Sequence, residues 1–151
     1  MEIIETNGEN RDFVTLCRLL DDNLNRIVGG EKQRVQYNQY NQLEDIHDVF
    51  IIYDQNLPIA CASFKYHEKG TAEVKRVFVR EEYRGRGLSL LLMKRLEEKA
   101  KMQGYQNLIL ETGNMLTHAM GLYKKIGFMV IENYGQYKNM KESICMGKLL
   151  I

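Results

Sequence analysis

No apolar run in this 151-residue chain approaches the ~20 residues that a helix needs to cross a bilayer, which excludes a helical membrane span. Met1 to Asn10 is polar and lacks the apolar core of a secretory signal. Cysteine is scarce, and its odd count of three cannot build a disulfide framework. Cys17, Cys61 and Cys145 each fall in an apolar periodic segment and read as buried thiols in a reducing compartment, so the expected location is the cytoplasm. His47, His67 and His118 are scattered without metal-ligand spacing, so no metal is expected. Repeats, low-complexity stretches and linkers are missing too, and the length fits one domain over residues 1–151.

What is present begins with an uneven charge distribution. The chain carries a net charge of +1 in total. Between Glu73 and Arg95, however, seven basic residues face three acids, leaving the rest of the chain at −3. No wider basic surface and no interleaving of aromatic with basic residues accompanies that segment, which argues against nucleic acid. Positive charge is gathered at one place, where it can steer an anionic ligand.

That place is the run Val77-Phe78-Val79-Arg80-Glu81-Glu82-Tyr83-Arg84-Gly85-Arg86-Gly87-Leu88-Ser89. A β-branched apolar strand enters it, a glycine-rich basic turn follows, and a periodic helix leaves it. The first N–H groups of a helix have no intrahelical partner, and the aligned peptide dipoles make that end positive. Gly85 and Gly87 lack a Cβ, so the turn can adopt positive φ and a phosphate can approach the N–H groups closely. Arg84 and Arg86 add charge there. Two familiar phosphate motifs fit poorly: the dinucleotide fingerprint wants a third glycine and a following βαβ unit, and the phosphate loop wants Gly-Lys-Ser/Thr.

Elsewhere the pattern predicts alternating strands and helices. Glu2 to Glu5 reads as a short edge strand, and Asn10 caps a helix to about Ile27 that buries Phe13, Leu16, Cys17, Leu20, Leu24 and Ile27. A second, polar helix is expected over Glu31 to Leu43. Val49 to Tyr53 and Pro58 to Tyr66 form a hairpin about Asp54-Gln55-Asn56, and Lys69-Gly70 turns into the strand Thr71 to Arg80. After the glycine turn, Leu88, Leu91, Leu92, Leu96 and Ala100 make one helical stripe that ends at Gly104. Leu108 to Glu111 is a strand and Thr117 to Ile126 a helix, with Gly127 as its left-handed end and Phe128 packing back. Met129 to Glu132 and Ser143 to Leu150 are the last strands. The eight methionines read as core filler. The fold expected is α/β: a mixed sheet of about six to seven strands flanked by about four helices.

The glycine turn resembles motif A of the GNAT superfamily of N-acetyltransferases, whose pattern Arg/Gln-x-x-Gly-x-Gly/Ala matches Arg84, Gly87 and Ser89. Ser89 replaces the usual small apolar residue. Leu110-Glu111-Thr112-Gly113, Ala119 and Leu122-Tyr123-Lys124-Lys125-Ile126-Gly127-Phe128 resemble motif B of the same superfamily. Glu73 to Val79, Tyr134 to Tyr137 and Ser143 to Met146 resemble flanking strands of one subgroup, so the resemblance covers roughly residues 48–150. Leu116 and Thr117 depart from it, standing where the subgroup commonly has Asn or Gln and Pro.

The resemblance implies a GNAT-like acyl-CoA N-acyltransferase fold and transfer of acetyl from acetyl-CoA to a primary amine by direct attack. It implies that the pyrophosphate rests on Arg84, Gly85, Arg86, Gly87, Leu88 and Ser89, and that the pantetheine arm pairs with Val77, Phe78 and Val79. Ala119 borders the cofactor, and with Leu116 at its position one polar contact to the cofactor arm is either missing or supplied by Asn114 instead. Tyr123 matches the general acid at the departing sulfur; as an alternative, it is a core aromatic on an apolar stripe. A phenol near pKa ~10 giving its proton to a thiolate near ~8.5 is uphill by about 2 kcal/mol, so Tyr123 is expected to act as a hydrogen-bond donor. Glu73 and Glu111 are candidate bases, Glu73 the better, acting through water if not directly. Their structural alternatives are a surface ion pair of Glu73 with Lys75 or Arg76, and a capping hydrogen bond at Glu111. The acceptor pocket could be lined by Tyr37, Asn38, Tyr40 and Asn41. The first 50 residues hold ten acids against five bases, which favours a cationic small amine or polyamine. Two other readings stay open: a CoA-binding regulatory module without turnover, and a protein N-terminal or lysine acetyltransferase. Homodimers are common in the superfamily.

Overall fold

The computed structural model describes residues 1–28 and 42–151. Seven strands form one sheet: β1 (Glu2–Thr6), β2 (Asp48–Asp54), β3 (Leu57–Glu68), β4 (Thr71–Val79), β5 (Asn107–Gly113), β6 (Met129–Ile131) and β7 (Ser143–Leu149). Their order is β1-β2-β3-β4-β5-β7-β6. Three helices stand among the described residues: α1 (Arg11–Val28), α2 (Leu88–Met102) and α3 (Thr117–Lys125). The helix expected over Glu31–Leu43, with its tyrosines and asparagines, lies outside the described residues but for Gln42 and Leu43, which are irregular. Two compact units share the chain, the first comprising Met1–Lys65 and Lys75–Leu96, the second Tyr66–Val74 and Glu97–Ile151.

In the first unit, Asn10 starts α1 as its composition requires. Its Oδ1 accepts the Asp12 and Phe13 N–H groups at 2.9 and 3.1 Å, two donors that the helix itself leaves unpaired. Phe13, Leu16 and Cys17 on one face of α1 pack with Val49, Ile51, Cys61 and Phe78 to form the core. β1 and β3 flank β2 in antiparallel ladders. The two-residue turn between β2 and β3 places both Gln55 and Asn56 at positive φ, 49° and 69°, whose twist suits a hairpin.

In the second unit, β5 runs parallel to β4 over Thr71–Glu73 and Asn107–Ile109, and antiparallel to β7 along its whole length. β6 completes the edge against β7. Gly127 takes φ 106° just past α3, and Phe128 packs back on Tyr123 with ring centroids 5.7 Å apart, as the sequence implied. Lys148 reaches the same helix end, donating to the Ile126 carbonyl at 2.6 Å and pairing with Glu97 at 2.7 Å.

Two packing expectations need correction. Leu91 is 42% exposed, and Met93 joins Leu88, Leu92, Leu96 and Ala100 in the core instead. At about 100° per residue, Leu91 lies well off the centre of the face that the other leucines define, whereas Met93 falls at its edge. Among the methionines, Met93, Met140 and Met146 are core residues, while Met1, Met102, Met115 and Met129 sit exposed at the chain end, a helix end, a turn and an edge strand.

Candidate functional site

In the first unit the site is built by β4 and the turn after it. The strand does not run straight. Arg76 adopts φ 56°, rare for a residue with a Cβ, and such a residue turns the following peptide groups out of the regular pleat. Neighbours hold it there. Its Nη1 lies 2.6 Å from Asp21 Oδ1 on α1, and its carbonyl accepts the Cys61 thiol at 3.3 Å. Burial, reinforced by Cys17, pushes the Cys61 thiol well up, so it stays a donor. Pairing with β3 continues beyond the kink, where the Arg80 N–H bonds the Ile59 carbonyl at 2.8 Å. Val77 to Val79, the segment expected to meet the pantetheine arm, therefore follows a fixed distortion.

The turn itself is anchored from the side. A single 3₁₀ turn, Glu81–Tyr83, leads out of β4, and the Tyr83 hydroxyl donates to Asp54 at 2.8 Å. That bond raises the Tyr83 pKa. The Arg86 guanidinium lies 4.9 Å from the Tyr83 ring centre, and Arg84 lies 5.8 Å from that of Phe78 while its Nε donates to the Val79 carbonyl at 3.0 Å. Gly85 and Gly87 take φ 79° and 77°, and a Cβ built on either meets nothing within 4 Å. The space beside the turn is open to a ligand, and the backbone there is one that side chains resist. The first helical bond of α2 runs from Leu91 N–H to Gly87 C=O at 3.1 Å, so the N–H groups of Leu88, Ser89 and Leu90 precede it. Arg84 to Gly87 are exposed, Leu88 is buried and Ser89 half-buried. Tight positive-φ glycines, leading N–H groups and two arginines suit a phosphate group.

In the second unit, Glu73 and Glu111 gather into one polar cluster. Glu73 is buried, with 3% exposure, and so does not sit at the surface, and Arg76 pairs with Asp21. The Tyr134 hydroxyl donates to Glu73 Oε2 at 2.6 Å. The Ser143 hydroxyl donates to Glu111 Oε2 at 2.6 Å, a structural bond to β7 across the ladder. Burial, and then the charge of Glu73, drives the Tyr134 phenol far up; Tyr137 is raised by burial and by both carboxylates. Both tyrosines thus serve as donors at neutral pH. His67 and Tyr137 contact the Tyr134 ring edge-on, at 5.1 and 5.6 Å. Asn133 Nδ2 reaches the carbonyls of Tyr137, Met140 and Ser143 at 3.0–3.3 Å and ties down the loop that carries these tyrosines.

Tyr123 is buried on α3 against Phe128, and burial alone lifts its phenol to about 12. Asn114 is exposed and its N–H bonds Glu142 C=O at 2.7 Å; Ala119 is half-buried. Leu116 begins α3 with no side-chain cap. Cys145 is buried with its pKa raised, which suits packing and not nucleophilic attack. The sequence alone does not point to Tyr134 as the Glu73 partner, nor to the contacts of Arg76 with Asp21 and Cys61. Nothing local marks them, since each contact joins residues 15 to 61 positions apart.

A family model described as "Acetyltransferase (GNAT) family" matches residues 13–128. An IAA acetyltransferase from Azospirillum brasilense is 37% identical over 83 residues, covering 55% of this chain and 54% of its own. The chain spans between about a third and about half of the length of three curated relatives that it matches. Among solved structures, PaiA N-acetyltransferase from Thermoplasma acidophilum, in complex with coenzyme A, superposes with a TM-score of 0.75 at 18% identity, covering 98% of each chain. A GNAT family acetyltransferase from Elizabethkingia anophelis with acetyl-CoA bound gives 0.70 at 22% identity, covering 99% of this chain and 97% of that one. These likenesses show the fold.

Proposed function

The chain belongs to the GNAT family of acetyltransferases, and from that premise we propose that it moves an acetyl group from acetyl-CoA to the primary amine of a small acceptor by direct attack. The observation that carries this reading is the turn from Arg84 to Ser89, where two left-handed glycines leave open space beside the start of a fifteen-residue helix. Acetyl-CoA supplies the activated thioester. The backbone of Arg84 to Ser89 takes its phosphates, with Arg84 and Arg86 as counter-charges. Val77 to Val79 aligns the pantetheine arm as an added strand would, and an N–H near Val79 steadies charge on the thioester carbonyl. Asn114 and Ala119 border the arm. Solved relatives holding coenzyme A or acetyl-CoA support the choice of co-substrate.

An amine near pKa ~10.4 must lose a proton before it can attack. Glu73 takes that proton, directly or through water, and the Tyr134 hydroxyl fixes the carboxylate in place. Tyr123 stays protonated and donates a hydrogen bond to the departing sulfur, while the ammonium product finally supplies the proton. Three buried thiols suit a reducing cytoplasm.

The test is acceptor-dependent release of CoA thiol across a panel of amines. Wild-type protein turns over, and Glu73→Gln lowers kcat on the order of 100-fold without weakening acetyl-CoA binding. Binding of acetyl-CoA with no turnover on any amine would instead identify a regulatory module that holds CoA.

A further inference from the structure

A cavity of about 490 Å³ opens in the first unit between the C-terminal half of α1 and the end of β4, a size suited to a small molecule. Leu19 and Phe78 give it an apolar side; Asp22, Asn25 and Arg26 line it from α1, and Arg80 and Arg84 from the β4 end. Glu81 and Glu82 also border it, so the acids and bases are equal in number. This balance does not favour the polycation that the acidic N-terminal segment suggested.

The two arginines of the β4 end have no carboxylate partner among the described residues. Arg80 Nε donates to Pro58 C=O at 2.6 Å, and Arg84 Nε donates to Val79 C=O at 3.0 Å. Each guanidinium is therefore fixed by a neutral carbonyl at one nitrogen; with Arg84 assigned to the cofactor phosphates, the terminal nitrogens of Arg80 are the ones left for a planar anion from the acceptor. Asn25 Oδ1 is buried beside the cavity and has no hydrogen-bond partner among the described residues. Phe78 belongs both to this cavity and to the strand assigned to the pantetheine arm, so a molecule here lies beside that strand.

We propose that this cavity holds the acceptor and that the acceptor is an amine bearing a carboxylate, as amino acids do, with Arg80 as the specificity-determining contact for that carboxylate. The assignment rests on the transfer reading above. It adds no chemical step: the amine nitrogen attacks the thioester carbon as before, and the carboxylate only fixes the acceptor's position.

Thiol release measured with a series of free α-amino acids and with their carboxamides tests it, alongside titration of acetyl-CoA into wild type, Arg80→Gln and Arg80→Lys. The carboxylates are expected to be preferred at least tenfold in kcat/KM. The preference is expected to collapse in Arg80→Gln and to be partly kept in Arg80→Lys, with the acetyl-CoA Kd unchanged in both, which also shows that both fold. Equal use of carboxamides by wild type would overturn the proposal and leave the transfer reading standing. A raised acetyl-CoA Kd in Arg80→Gln would overturn it by assigning Arg80 to the cofactor. Turnover with neither series, while acetyl-CoA still binds and other amines of the panel are acetylated, would overturn the proposal and leave the transfer reading standing; only silence across the whole amine panel would remove both.

Discussion

Tyr123 has one ring neighbour among the described residues, Phe128, and a phenol pushed up to about 12 by burial alone. A group so placed gives up its proton reluctantly, so its use to the reaction is as a donor that stays neutral. Tyr123→Phe should lower kcat roughly 10–100-fold, the worth of one hydrogen bond to a charged atom. It should leave the acetyl-CoA Kd and the alkaline limb of the pH profile below pH 10 unchanged. Loss of an alkaline limb would show instead that the phenol ionises during turnover. Stability carries the same signature. The phenol ionises near 10 in the unfolded chain and near 12 in the fold, so this contribution is complete below pH 10 and is lost as pH rises from 10 to 12. Urea unfolding across that window should show a shallower decline for Tyr123→Phe, by about one proton. Tyr123 was legible in the sequence because Gly127-Phe128 follows at fixed spacing. Tyr134 was not, because its bond to Glu73 spans 61 residues and only the folded sheet supplies it.

At the level of elements, β4 is the piece on which the account turns. Its apolar run and bounding turns made the strand readable, but nothing in Lys75-Arg76-Val77 announces a left-handed arginine. The kink is imposed from outside, by Asp21 on α1 and by the Cys61 thiol on β3. The Arg76 side chain is 6% exposed and that of Asp21 24%, so removing the carboxylate leaves a nearly buried charge without this partner. Asp21→Asn should therefore destabilise the protein by about 3 kcal/mol in urea unfolding. A cost under about 1 kcal/mol would class the pair with ordinary surface ion pairs and leave the kink without its main support. The order β5-β7-β6 was equally hidden. Strands consecutive in sequence usually pair, and the sequence holds no mark that β7 enters between β5 and β6. Only the completed ladder brings Ser143 against Glu111.

Across the whole molecule, positive charge concentrates between Glu73 and Arg95 while the remainder is acidic, and the glycine turn lies within that segment. The turn was legible because two glycines, flanking arginines and a following helix each act locally. The acceptor side was not, since its cavity is assembled from α1 and from residues beyond β4, more than fifty positions apart. The central claim is that Arg84 to Ser89 binds the phosphates of acetyl-CoA, and calorimetric titration of acetyl-CoA into wild type and Gly87→Glu tests it most directly. A Cβ at Gly87 meets no atom of the described residues within 4 Å, so Gly87→Glu adds a strained φ without a clash there while placing bulk and negative charge where the phosphates would lie. Micromolar binding by wild type, abolished in a folded Gly87→Glu, is the predicted result. Failure of folded wild type to bind, or equal binding by the variant, would contradict it.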